Sequence, residues 1–129
     1  MLLPCSISGL LTADITAALQ VKSVVPAANA PFSDPALADQ MRQRGVLVLP
    51  DPLVNAGAVI ADSIERFAPE AWTQASPEQV YGFVRQAVRQ RASDFLAQRD
   101  RGLSVGEALM HVAAGHSQDP IGLSFVLPT

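Results

Sequence analysis

The stretch GVLVLPDPLVNAGAVI, residues 45–60, decides how this chain is read. Its first part, VLVLP at 46–50, is apolar on both faces, the pattern of a strand covered on both sides in a parallel sheet. From Asp51 to Gly57 it sets a carboxylate, an amide and an Ala-Gly pair. Ala56, Ile60, Ile64 and Phe67 then follow at helical spacing. Asn55 stands at the junction, where an asparagine can either start the helix as its cap or hold a ligand through its amide.

Working back from this stretch, the same alternation recurs. Residues 2–5 read as the end of a strand, and Thr12 is a good N-cap for a short helix through Leu19. Val21–Ala27 reads as the next strand. Asp34-Pro35 supplies a cap and an N1 proline for a helix to Arg44, with Gly45 as its stop. The order so far is β-α-β-α-β, an α/β unit with a parallel sheet of about three strands.

Working forward, the pattern is helical only. A loop is expected around PEAWTQA, 69–75. Ser76-Pro77-Glu78-Gln79 is a capping box opening a long helix with Val80, Val84, Val88 and Phe95 on one stripe. Arg85, Arg89, Arg91, Arg99 and Arg101 mostly lie off that stripe and read as a solvated face. Gly102 ends this helix, and Ser104 to Glu107 forms a second capping box for a last helix to about Ala114. IGLSFVL, 121–127, is readable as a strand or a docking segment. One compact domain is expected, with 1–54 as the βαβαβ unit, 55–115 as a helical segment and 116–129 as an irregular tail.

The composition narrows the function classes. A chain of 129 residues buries roughly two thirds of its unfolded surface, enough for one core. It is 49% apolar and 16% charged, with mean hydropathy +0.23, rather apolar for a solitary domain, so burial against a partner is expected. A net charge of −3 and nine basic residues without aromatic interleaving exclude nucleic-acid binding as the expectation. The lone Cys5 cannot form an internal disulfide, which fits a reducing cytoplasm. An apolar start and ANA at 28–30 imitate a signal peptide, but the first basic residue, Lys22, follows the apolar stretch and Asp14 interrupts it. No apolar run nears the ~18 residues of a membrane span.

No G-x-G-x-x-G, G-x-x-x-x-G-K or G-x-S-x-G is present, so the chain carries no phosphate-cradling loop or hydrolase elbow of its own. His111 and His116 stand five apart without cysteine or well-spaced acids, a poor metal set, and no metal is expected. What remains is positional. Ligands of parallel α/β sheets bind beyond the carboxyl ends of the strands. Here Pro4-Cys5-Ser6, Ala28-Asn29 and Asp51–Gly57 would share that rim. Asn29 as a turn former and Asn55 as a helix cap are the plainer alternatives.

The stretches LLPCSISGLLT, VVPAANAPF and GVLVLPDPLVNAGAVI, in this order and spacing, resemble the nucleotide-binding domain of the glutamate/leucine/phenylalanine/valine dehydrogenases. The likeness covers roughly residues 2–114, and its most specific motif is Pro50-Asp51 to Gly57. AANAP leans to the glutamate branch and PCSISG to the leucine and phenylalanine branch. The resemblance implies a partial Rossmann-like sheet and reversible oxidative deamination: an amino acid gives a hydride to NAD or NADP, and the imine is hydrolysed to a 2-oxo acid.

By resemblance, Pro4, Cys5, Ser6, Ile7, Ala28 and Asn29 would line the cofactor, and Leu53, Asn55 and Val59 would border the amino-acid pocket. Departures from the family pattern are Ser6 and Ser8 for smaller residues, Pro26 for a frequent glycine, and Ala58 for the second glycine of Asn-Ala-Gly-Gly. The family's glycine loop, ribose-binding acid and catalytic lysines would belong to preceding sequence, and Lys22 is the only lysine here. The expectation is therefore a C-terminal portion of such an enzyme, with no catalytic residue of its own. It would work with an N-terminal catalytic segment in a homo-oligomer. The alternative is a non-catalytic remnant of that domain that associates with itself.

Overall fold

The structure, a computed structural model, describes residues 1–98, 101–116 and 118–127. The expected α/β order holds. Helix α1 spans Ala13–Ala18, strand β1 Ser23–Val24, helix α2 Ala36–Gln43 and strand β2 Leu47–Val48. Thr12 caps α1 through its side chain, as its position implies. Gly45 stops the α2 turn with φ +84°, a left-handed conformation that glycine adopts without steric cost.

The strands are much shorter than their apolar runs. β1 pairs in parallel with β2, with Ser23 opposite Leu47 and Val24 opposite Val48, and Leu2 adds a third, parallel position through a single bridge to Val24. Two residues on from the matched Leu2, Val24 and Val48 stand Pro4, Pro26 and Pro50, all three buried. Proline has no N–H to give a ladder, so all three strands lose pairing at one level. Beyond it the chain leaves the sheet as two loops and, after Pro50, a one-turn helix, all three starting side by side.

From there the chain is helical: α3 spans Asp51–Val54, α4 Gly57–Phe67, α5 Pro69–Gln74, α6 Pro77–Ala97 and α7 Val105–Ala114, with a 3-10 turn at Ile121–Ser124. Two sequence expectations are corrected here. PEAWTQA is a helix rather than a loop, because Pro69 preorganises its first turn and Trp72 packs on the cluster around Ile64. Asn55 does not start the helix that follows. It closes the one-turn α3, its N–H bonding to Asp51 O, and no side chain caps α4. Ser76 and Ser104 both complete their capping boxes.

One core gathers Val24, Val48, Met41 and Leu53 with Phe95 of α6 and Ala108 and Val112 of α7. A second holds Ile64, Val80 and Phe125. Helix α6 serves both, Val80 at one end and Phe95 at the other. Phe67, on the expected apolar face of α4, is 40% exposed and lies under the Arg66 guanidinium at 5.6 Å. Arg85, Arg89 and Arg101 are exposed and Arg91 half-buried, while Arg99 lies outside the described residues. The tail docks rather than joining the sheet: Gly122 N donates to Ser63 Oγ at 2.9 Å, and the Phe125 ring meets Phe83 edge-on at 5.3 Å.

Candidate functional site at the strand ends

The two loops and the helix α3 beyond the proline level are tied into one surface by hydrogen bonds. Pro4 O accepts from Ala27 N and Ala28 N, both at 2.9 Å, joining the first strand end to the second. Ser8 Oγ donates to Asn29 O at 2.8 Å, and Gly9 N to Ala30 O at 2.8 Å. From the other side, Asn55 Nδ2 donates to Asn29 Oδ1 at 2.6 Å, and Ala30 N donates to Asp51 Oδ2 at 2.9 Å. Asn29 and Ala30 are thus the hub of the surface.

The two asparagines expected at separate strand ends therefore form one amide pair. Asn29 is exposed and Asn55 half-exposed, so the pair faces solvent. Among the described residues, Asn29 Nδ2 and Asn55 Oδ1 take no protein partner, so the pair offers a donor group and an acceptor group together. Cys5, Ser6 and Ile7 are exposed on the loop that Ser8 ties to Asn29, Ile7 at 63%, and Val59 stands one turn beyond Asn55 at 71%.

Three of the expected lining residues sit below this surface. Pro4 and Ala28 are buried, contributing a carbonyl and an N–H respectively rather than side-chain contact. Leu53, expected to border a pocket, is 3% exposed and belongs to the core with Val48 and Phe95, because the turn of α3 aims it inward. Sequence reasoning missed the role of Ala30, whose φ of +43° is the only left-handed non-glycine conformation among the described residues. Asp51 was legible as part of the third cluster, but not its reach across to Ala30.

Beside the amide pair lies a cleft of about 550 Å³, with Pro31, Phe32, Pro50, Asp51, Val105 and Leu109 among its walls. Asp39 closes one side of it, accepting Val105 N at 2.7 Å at the start of α7. A second cleft of about 650 Å³ lies between α6 and the tail, where His116 pairs with Asp94 at 3.1 Å, and it shares no residue with the first. Among the described residues, no three His, Cys, Asp or Glu side chains gather as a metal site requires, and no helix is long and apolar enough to cross a membrane.

Comparison with known proteins converges on one family. The family model described as Glutamate/Leucine/Phenylalanine/Valine dehydrogenase matches residues 1–114. Valine dehydrogenase of Streptomyces coelicolor is 39% identical over 66 residues, which are 50% of this chain and 18% of that protein. Phenylalanine dehydrogenase of Lysinibacillus sphaericus is 35% identical over 66 residues, 51% of this chain and 17% of that protein. Glutamate dehydrogenase A2 of Halobacterium salinarum is 38% identical over 77 residues, 60% of this chain and 17% of that protein. The crystal structure of L-tryptophan dehydrogenase from Nostoc punctiforme shares the fold, with a TM-score of 0.71 at 24% identity over 88% of this chain and 33% of that one. The chain thus spans less than a fifth of the curated relatives it matches.

Proposed function

The chain belongs to the glutamate/leucine/phenylalanine/valine dehydrogenase family, and from that premise we propose that its strand-end surface is the nicotinamide and amino-acid side of an NAD(P)-dependent oxidative deamination site. The observation that carries this reading is the Asn29–Asn55 amide pair, facing solvent where three parallel strands end. Its free amino group and free carbonyl oxygen match a primary carboxamide, which presents an NH2 donor group and a carbonyl acceptor. Asn29 and Asn55 would hold the nicotinamide amide and the nearby ribose or substrate, with Cys5, Ser6 and Ile7 lining the approach. Val59 would border the amino-acid side chain. Nicotinamide, when bound, accepts the hydride leaving the amino acid's α-carbon. The chain's own residues orient and enclose, and none supplies the acid-base step, since Lys22 is its only lysine. The pyrophosphate grip and proton transfers fall to an N-terminal catalytic segment.

The test is a titration of the 129-residue chain with NAD and then NADP, followed through the side-chain amide resonances of Asn29 and Asn55. A repeat with an added family N-terminal segment follows. The expected result is a weak local perturbation by the chain alone and at least about tenfold tighter binding with the segment present, equivalent to about 1.4 kcal/mol. Resonances that ignore both nucleotides in both samples defeat the proposal.

A self-associating module without catalysis is the second reading, and the first strand favours it. Leu2 spends its N–H and C=O on β1, so the backbone of Leu3 faces outward, and Met1, Leu3 and Ile7 are 75%, 53% and 63% exposed. An open parallel edge flanked by apolar side chains invites a second copy. Sedimentation of the wild type against Leu3→Lys reads this directly: a dimer that the substitution dissociates supports it, and a monomer in both rules it out.

A further inference from the structure

Asp51 is the first residue of α3, after Pro50 at the cap position, where a carboxylate ordinarily serves its own helix by facing the free N–H groups of the first turn. It does not do so here, for α3 has no side-chain cap and Asp51 Oδ2 instead accepts Ala30 N, 21 positions back in sequence, at 2.9 Å. Ala30 needs such a hold. It is an exposed alanine at φ +43°, a conformation its Cβ disfavours and no burial enforces.

The bond acts on one peptide group. Asn29 O and Ala30 N belong to the same peptide unit, the oxygen accepting Ser8 Oγ and the nitrogen donating to Asp51. Its plane is therefore pinned from both neighbouring strand ends, and the Asn29 side chain leaves the backbone directly beside it. We propose that Asp51 is a positioning residue: by holding the 29–30 peptide in its left-handed turn it sets the Asn29 carboxamide against Asn55. The inference rests on the reading of the amide pair as the nicotinamide side of the site, and it supplies what orients that pair. Neither asparagine is buried, so packing does not place their amides, and the hydrogen bonds around the 29–30 peptide must.

The amide pair itself is the readout. In the wild type, the Asn55 Nδ2 proton bonded to Asn29 Oδ1 is expected to be shifted downfield and slowed in exchange. Asp51→Ala is expected to return them to free-asparagine positions while the Val24 and Val48 resonances stay in place. Asp51→Asn, which retains an oxygen for Ala30 N, is expected to keep the pair, and it remains informative if Asp51→Ala does not fold. Adding Ala30→Gly to Asp51→Ala is expected to restore much of the signature, because glycine adopts the left-handed turn unaided. Unchanged amide resonances in Asp51→Ala, loss of the pair in Asp51→Asn, or no recovery with Ala30→Gly would each overturn the inference. NAD and NADP added to the same samples, with and without the N-terminal segment, separate the two ideas: a pair that depends on Asp51 yet ignores both nucleotides in both settings overturns the functional reading and leaves the positioning role intact.

Discussion

Gly122 lies flat against the backbone of α4 at Ser63. Its N–H donates to Ser63 Oγ at 2.9 Å, and a Cβ built on it would collide with the Ser63 carbonyl and with Ile64 N. The obstacle is helix backbone, which cannot turn aside as a flexible side chain would. Gly122→Ala is therefore expected to cost about 1–3 kcal/mol, the usual penalty of overpacking, and to lift Phe125 from the edge of Phe83. Urea unfolding of the two proteins measures the loss, and equal midpoints would contradict it.

Gly82 is the opposite case. It sits in the interior of α6, exposed, with nothing within 4 Å of where a Cβ would stand. Here glycine only adds backbone entropy to the unfolded chain, so Gly82→Ala should stabilise by about 0.5–1 kcal/mol. The same urea series reads it, and destabilisation would mean that the open face of α6 is covered by a partner.

These two glycines also mark how far the sequence could be read. The helix starts at Thr12, Ser76 and Ser104 are local chemistry, a hydroxyl a few residues from the N–H it accepts, and they stand where their spacing places them. The parallel order of the strands was legible for the same reason. Their length was not: Pro4, Pro26 and Pro50 are each visible, but that they share one level is a property of register, which links residues about two dozen apart. The burial of Leu53 was not legible, because a three-strand rim says nothing of which way a one-turn helix aims a side chain. Asn29 and Asn55 were singled out separately, whereas their contact and the Asp51–Ala30 clamp are tertiary and have no local signature.

Arg44 shows a different long-range tie. Just past α2, its Nη1 donates to Thr16 O at 2.7 Å and its Nη2 to Leu19 O at 2.9 Å, so one guanidinium closes the carboxyl end of α1. A six-residue helix has little stability of its own, and it depends on such tertiary support. Lysine carries its three donors on one compact nitrogen and does not reproduce the spread of the planar fork across two carbonyls. Arg44→Lys should cost about 1 kcal/mol and raise amide exchange in α1 before the rest of the chain. Uniform exchange rates in both proteins would argue against the tie.

The capping box at the start of α7 gives this helix an expected pH dependence whose sign follows from its hydrogen bonds. Glu107 accepts Ser104 N at 2.8 Å and Ser104 Oγ at 2.8 Å, and these bonds, the backbone one foremost, hold its carboxyl below the usual carboxylate range. A lowered folded value means that the folded chain prefers the ionised acid. The support is then fully present above the unfolded value, near 4.3 for a free glutamate, and is lost as pH falls through the folded one. Glu78 of α6 is lowered in the same direction by its own backbone N–H and by Ser76. The Glu107 side-chain carboxyl should accordingly titrate, by carbon NMR, with a midpoint below that of an unstructured glutamate. The first turn of α7 should begin to exchange faster over the same acid range. Glu107→Gln keeps an acceptor for Ser104 N but cannot titrate, so it should remove the acid sensitivity of α7 without abolishing the helix. An ordinary midpoint for Glu107, or an unaltered acid response in Glu107→Gln, would show that the capping box does not couple this helix to pH.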